Sequence, residues 1–288
     1  MDPKPAPSKA LSARSGASGP SEPSASSGSP SPLSAVRAVS AVSASSPTAP
    51  APPPSALAET ILARLTAAYP PAADPVRAEG AAAYLKNVCP FLGIPATERR
   101  ALDRTLLKDT PKPDESDCAA IALRCWDLRE REYRYFAVDY LRRHVKHCSS
   151  GFLPVARRLI TTTSWWDTVD ALAAHVVGGL VSADPRLAAT MDRWIEDDDL
   201  WVARTALLHQ LRFKERTDPD RLFAYCLRQA GHRDFFIRKA IGWALREYAK
   251  TAPEVVRGFV DAHRDRLSPL SVREATKHLR GGAGREAG

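Results

Sequence analysis

The run Ala171-Leu172-Ala173-Ala174-His175-Val176-Val177-Gly178-Gly179-Leu180 is where helix and strand compete most directly for this chain. It has the length and alanine content of a helix and lacks the apolar/polar alternation of a half-buried strand. Outward from it, apolar residues recur at helical spacing from Ala56 onward, in segments of about 10 to 17 residues with short breaks. The breaks fall at Pro70-Pro71, Pro90, Pro95, Pro111-Lys112-Pro113, Gly151, Pro185, Gly231 and Pro253, each followed by a plausible helix start. The expectation is an all-α fold of roughly a dozen helices. Trp126, Trp166, Trp201 and Trp243 follow one another at about 35 to 42 residues, the period of a HEAT-like or armadillo-like repeat. Such repeats stack into a solenoid in which one helix of each pair faces a continuous concave surface, so residues one repeat apart can converge on one ligand.

The repeats are expected over residues 56–281, between a Pro/Ser/Ala-rich disordered tail (1–55) and a flexible C-terminus (282–288). Met1 to Pro54 has no aromatic residue to bury. Ser and Pro interrupt every apolar run that a secretory signal would need, and an organellar transit peptide fits only slightly better. Nowhere is there a stretch of about 18 apolar residues that could cross a bilayer, so a soluble protein is expected, and with reduced thiols a cytoplasmic one. Five cysteines with no CxxC pair and no histidine at zinc spacing read as reduced core thiols, and no metal or organic cofactor is implied. Of the formal charge of +8, the tail's four Lys/Arg against two Asp/Glu account for +2 and leave +6 for the rest. A basic excess fits a polyanionic partner without requiring one.

Three stretches could carry chemistry. In Ser164-Trp165-Trp166-Asp167-Thr168-Val169-Asp170, Ser164 is placed to cap a helix, and Trp166 and Asp170 share one face of it. Packing of both tryptophans and helix-dipole complementation by both aspartates would explain the same residues, although Asp170 lies beyond the first turn. Arg204 and Arg212 fall two turns apart on one helical face, able to hold phosphates, to pair with Asp170, or simply to be solvated. The third stretch, Phe235 to Tyr248, reads as an amphipathic helix in which Gly242 allows close packing or close approach of a ligand, and Trp243 and Arg246 share a face. Near the end, Arg273, Lys277 and Arg280 form a basic stripe that is either a phosphate contact or exposed surface.

Taken together, Tyr84-Leu85-Lys86, Phe91-Leu92-Gly93-Ile94 with Arg99-Arg100, Ser164 to Asp170, Trp201 with Arg204, and Phe235 to Tyr248 resemble, in order and spacing, the AlkD-type DNA alkylation repair glycosylases, which are built from HEAT-like repeats. The resemblance covers about Ala56 to Leu279. It implies that Trp166 and Trp243 are aromatic walls around the lesion's deoxyribose, that Asp170 is the catalytic carboxylate, and that Arg204 holds the DNA backbone beside it. It further implies phosphate contacts at Arg212 and Arg246, with Tyr84 supporting the site. The expected partner is duplex DNA containing alkylated bases, bound by a monomer without a membrane.

Cleaving an N-glycosidic bond builds positive charge on the sugar, which a fixed carboxylate and electron-rich ring faces suit. Cationic bases such as 3-methyladenine and 7-methylguanine leave without protonation, so a site lacking histidine suffices. An open solenoid is expected to contact the lesion's backbone and not to capture the base in a deep pocket, which could admit bulkier N3 or N7 adducts. The competing reading is a non-catalytic repeat scaffold that binds DNA or protein. An RNA-binding repeat would instead show a base-reading pair in every repeat, which is not evident.

Overall fold

The computed structural model describes residues 55–279, and within them every regular element is helical. The expected C-terminus (282–288), Arg280 and all of the expected tail except Ser55 lie outside the described residues. Breaks that the sequence marks with Asp, Ser or Pro become helix starts: Asp74, Asp114, Asp218 and Ser268 each accept a backbone N–H in the first turn, and Pro75, Pro219 and Pro269 occupy the position where a missing N–H costs nothing.

The helices alternate along the chain between two layers. One layer holds α1 (Ala56–Ala68), α4 (Glu115–Asp127), α6 (Leu153–Thr161), α9 (Ala188–Trp194), α11 (Pro219–Arg228) and α13 (Pro253–Ala262). The other holds α3 (Ala96–Leu106), α5 (Arg131–His144), α7 (Trp166–Ala171), α10 (Leu200–Leu208), α12 (Phe235–Tyr248) and α14 (Pro269–Ala275). The Ala171 to Leu180 run is helical, as its length and alanine content suggest: α7 passes through a π-helical turn (Leu172–Val177) directly into α8 (Gly178–Ala183). One apolar cluster extends through the stack from Leu57 to Leu279.

Side-chain bonds one repeat apart stitch each layer together. In the first, Tyr225 of α11 donates to Asp192 of α9, 33 residues away, and the rings of Phe223 and Phe259 stack at 4.2 Å between α11 and α13. In the second, Arg99 pairs with Asp139 across 40 residues, Arg131 with Asp167 across 36, Arg204 with Asp170 across 34 and Arg246 with Glu274 across 28. This recurrence is the geometry of a helical repeat, in which each unit is completed by its neighbour.

Two local expectations change and one open alternative resolves. Ser164 does not cap α7: its hydroxyl donates back to the Ile160 carbonyl at 2.5 Å, and Trp165 occupies the cap position without a side-chain bond. The helix carrying Arg204 stops at Leu208, so Arg212 lies in the turn beyond it; Gln210 fixes that turn by accepting from Asp218 N at 2.8 Å and donating to its carbonyl. Gly242 serves packing, because a Cβ there would meet Glu274 Cβ at 2.4 Å and the Ser271 carbonyl at 2.7 Å on α14.

α2 (Pro75–Tyr84) stands apart, with no buried residue. The loop after it is held from α5, where the Glu132 carboxylate accepts the backbone N–H groups of Leu92 at 2.9 Å and Gly93 at 2.8 Å. Gly93 is left-handed (φ 83°), and a Cβ there would reach the Asp74 carbonyl at 2.2 Å, so only glycine fits.

Candidate functional site

The Ser164–Asp170 stretch meets α12 at a cleft of about 370 Å³ on the second layer. Trp166 and Asp170 of α7, His175 of the π-helical turn, Arg212, and Trp243 and Glu247 of α12 line it. Trp166 and Trp243 are half-buried, so each keeps ring surface toward solvent. Tyr84, 72% exposed, sets its ring edge-on to Trp166 with centroids 6.3 Å apart, which brings the end of α2 to the same place.

Asp170 is gripped from the next repeat. Arg204 Nε donates to Oδ1 and Nη2 to Oδ2, each at 2.7 Å, and Nη1 donates to the Phe236 carbonyl at the start of α12. Each guanidinium nitrogen of Arg204 therefore already donates within the protein, and its side chain is only 3% exposed. Burial pushes the Asp170 carboxyl up, and the two arginine bonds offset only part of this, so it stays above its ordinary value. Behind this pair, Trp165, Trp201 and Phe236 pack in a mutual cluster with centroids 5.1 to 5.8 Å apart. The two adjacent tryptophans thus divide their roles: Trp165 packs and Trp166 faces the cleft.

Asp167 also borders the cleft, held by three donors. It accepts from Arg131 Nε at 2.9 Å, Arg131 Nη2 at 2.5 Å and the Tyr135 hydroxyl at 2.7 Å. Arg131 is fully buried, so this pair locks α5 to α7. Of the two α7 carboxylates, Asp170 accepts two hydrogen bonds to Asp167's three and is the more exposed, 12% of its side chain against 8%.

The other basic residues separate. Arg212 is exposed at the cleft. Arg246 is bound to Glu274 of α14 at 2.6 Å with its side chain 20% exposed, and Lys277 bonds the other oxygen of the same carboxylate at 2.6 Å. Arg273 is exposed on α14. Arg204, Asp170, Trp166, Trp243, Arg212 and Tyr84 are thus brought together, whereas Arg246 and Lys277 are tied to Glu274 and Arg273 lies exposed on α14, outside the cleft lining.

Contrary to the expectation of a site without histidine, His175 stands in the cleft wall. At α-helical spacing it would sit about 140° around the helix from Asp170, and the sequence offered no sign of it. A π-helical turn closes hydrogen bonds between residues five apart, which brings positions 170 and 175 toward one face. Burial and the charges of Arg142 and Arg212 push its imidazole down to about 4, so the ring is neutral at pH 7. Glu247 is the other addition, its carboxylate bonded to Lys250 at 2.7 Å.

A comparison with curated proteins found no match. Among solved structures, one described as a predicted DNA alkylation repair enzyme from Enterococcus faecalis is similar, with a TM-score of 0.67 and 33% identity over 73% of this chain and 97% of that one. The family model for DNA alkylation repair enzymes matches residues 65–279, a span that holds every wall of the cleft, and the chain belongs to that family.

Proposed function

We propose that the cleft hydrolyses the N-glycosidic bond of cationic alkylated purines, 3-methyladenine and 7-methylguanine, in duplex DNA. The observation that carries this reading is the Asp170 carboxylate, fixed by Arg204 at one wall of a cleft shared by two half-exposed tryptophans from different repeats. As the base departs, positive charge grows on the deoxyribose. Asp170 offsets that charge and orients the attacking water, while Trp166 and Trp243 offer their π-faces to it and exclude bulk solvent. The leaving purine already carries its charge, so no general acid is needed.

Arg204 acts through Asp170, by holding both of its oxygens in place. Arg212 and, further along, Arg273 are free to meet phosphates, and DNA affinity that falls steeply with salt is the corollary. An open cleft suits contact with the backbone of the damaged nucleotide and leaves room for larger N3 and N7 adducts.

A second reading has its own support. The Asp170–Arg204 pair is one of a series with Arg99–Asp139, Arg131–Asp167 and Arg246–Glu274 that ties the repeats together, as a non-catalytic scaffold would also require. Incubating methylated duplex DNA with the protein and measuring free purine separates the two. Release supports the glycosylase; salt-sensitive binding without release from any alkylated duplex leaves the scaffold.

A further inference from the structure

A second cavity, of about 260 Å³, adjoins the cleft between the turn that follows α10 and the end of α12. Leu211 and Glu247 line both spaces. Its size is near the lower end of small-molecule pockets, roughly 300–1,000 Å³. The buried side chains of Leu207, Leu222 and Ala244 give it an apolar floor. Tyr248 stands beside that floor, its ring packed T-shaped against Phe223 with centroids 6.3 Å apart.

The rim is polar, and much of its hydrogen-bonding capacity is unspent. Neither the side chains of Lys214, Glu215, Thr217 and Thr251 nor the Tyr248 hydroxyl makes a hydrogen bond or ion pair among the described residues. The turn that carries the first three is fixed, because Gln210 bonds both backbone groups of Asp218, at 2.8 and 3.3 Å. Lys214 holds a left-handed backbone there (φ 52°), which a residue with a side chain keeps only where its surroundings impose it. Charge decides what fits. Lys214 and Lys250 are balanced by Glu215 and Glu247, the last bonded to Lys250 at 2.7 Å. Without a net charge the cavity favours neither a phosphate nor a cation, whereas an apolar floor with donors and acceptors at its rim suits a flat, neutral heterocycle.

We propose that this cavity is a product site, which receives the neutral alkylpurine freed in the cleft and holds it between the apolar floor and Tyr248, with Thr217 and Thr251 bonding its edge. The inference rests on the reading of the cleft as a glycosylase site. When the C1′–N bond of a cationic alkylpurine breaks, the electron pair stays with the purine, which leaves neutral. Water adds its oxygen to C1′ and gives one proton to solvent. The freed base then passes Leu211 and Glu247, the two residues that both spaces share. Free base supplied from solution meets the same groups and binds in the same place.

The test is equilibrium dialysis of the full chain against radiolabelled 3-methyladenine, with adenosine monophosphate as the phosphate-bearing control. The wild type is expected to bind 3-methyladenine saturably and the monophosphate about tenfold more weakly or worse. Thr251→Trp, which fills the rim, should abolish binding of the free base while single-turnover release from methylated duplex DNA stays at the wild-type rate. Thr251→Val, close to threonine in size, should lower affinity by about 2- to 10-fold. Trp166→Ala should bind the free base as the wild type does, because Trp166 lines the cleft and not the cavity. Purine release by a wild type that binds no free base, or whose binding survives in Thr251→Trp and is lost in Trp166→Ala, overturns the product site and leaves the reading of the cleft intact. A wild type that releases no purine from methylated duplex DNA overturns both.

Discussion

Arg204 donates to both oxygens of Asp170 at 2.7 Å from 34 residues away, so the repeat that follows the cleft sets the position of the carboxylate inside it. The pair is both structural and, on the proposed reading, functional. Breaking it from the arginine side leaves a buried carboxylate without its counter-charge, at a cost of about 3–5 kcal/mol. Arg204→Ala is therefore expected to lower unfolding free energy by about that much in urea titrations. Arg204→Lys, which cannot make the two-pronged contact, should keep most of the stability and still lower the rate of purine release.

On the proposed reading, the two tryptophans at the cleft offer ring faces to a developing cation, an interaction of about 1–2 kcal/mol for each ring, or about 5- to 30-fold in rate. Trp166→Phe and Trp243→Phe should retain more activity than the alanine variants, in that order at each position, when single-turnover rates are compared. Equal rates for Phe and Ala would remove the rings from the chemistry.

Gly242 packs against α14 without room for a methyl group, so Gly242→Ala should destabilise by about 1–3 kcal/mol. Gly258, in α13, is exposed and has open space where a methyl group would stand, so Gly258→Ala should stabilise by about 0.5–1 kcal/mol. Thermal melting of the two variants reads both signs.

His209 is buried behind the cleft, with Nδ1 2.7 Å from the Ala206 carbonyl, and burial pushes its imidazole down to about 4. Between that value and the ordinary one of about 6.5, the unfolded chain holds a proton that the folded chain lacks. Stability should therefore fall as pH drops through this window, by about 3 kcal/mol from this residue. The loss should be smaller in His209→Gln when urea denaturation is compared at pH 7 and pH 4.5.

The fold was legible in the chain because helix starts are written in Asp, Ser and Pro at the breaks and because the 235–248 helix is amphipathic along its whole length. The meeting of Trp166, Asp170, Arg204 and Trp243 was also legible, since stacking converts residues about one repeat apart into neighbours. What spacing could not show depends on departures from a regular helix or on a partner far away. His175 reaches the cleft through a π-helical turn, Arg212 sits past a helix end, and Ser164 spends its hydroxyl on the preceding helix. Arg273 and Lys277 share a stripe that spacing alone leaves open to DNA, but Glu274, between them in sequence, binds both Lys277 and Arg246.

On the proposed reading Asp170 performs chemistry and does not only join two repeats. Release of 7-methylguanine and 3-methyladenine from methylated duplex DNA, measured for the wild type and for Asp170→Asn at equal folded concentration, tests this without an intermediate assumption. Release by the wild type is expected, with a loss of about 10²- to 10³-fold in the variant and little change in binding to the same duplex. Release by Asp170→Asn at the wild-type rate, or none by either protein while both bind DNA, would contradict a catalytic role for this carboxylate.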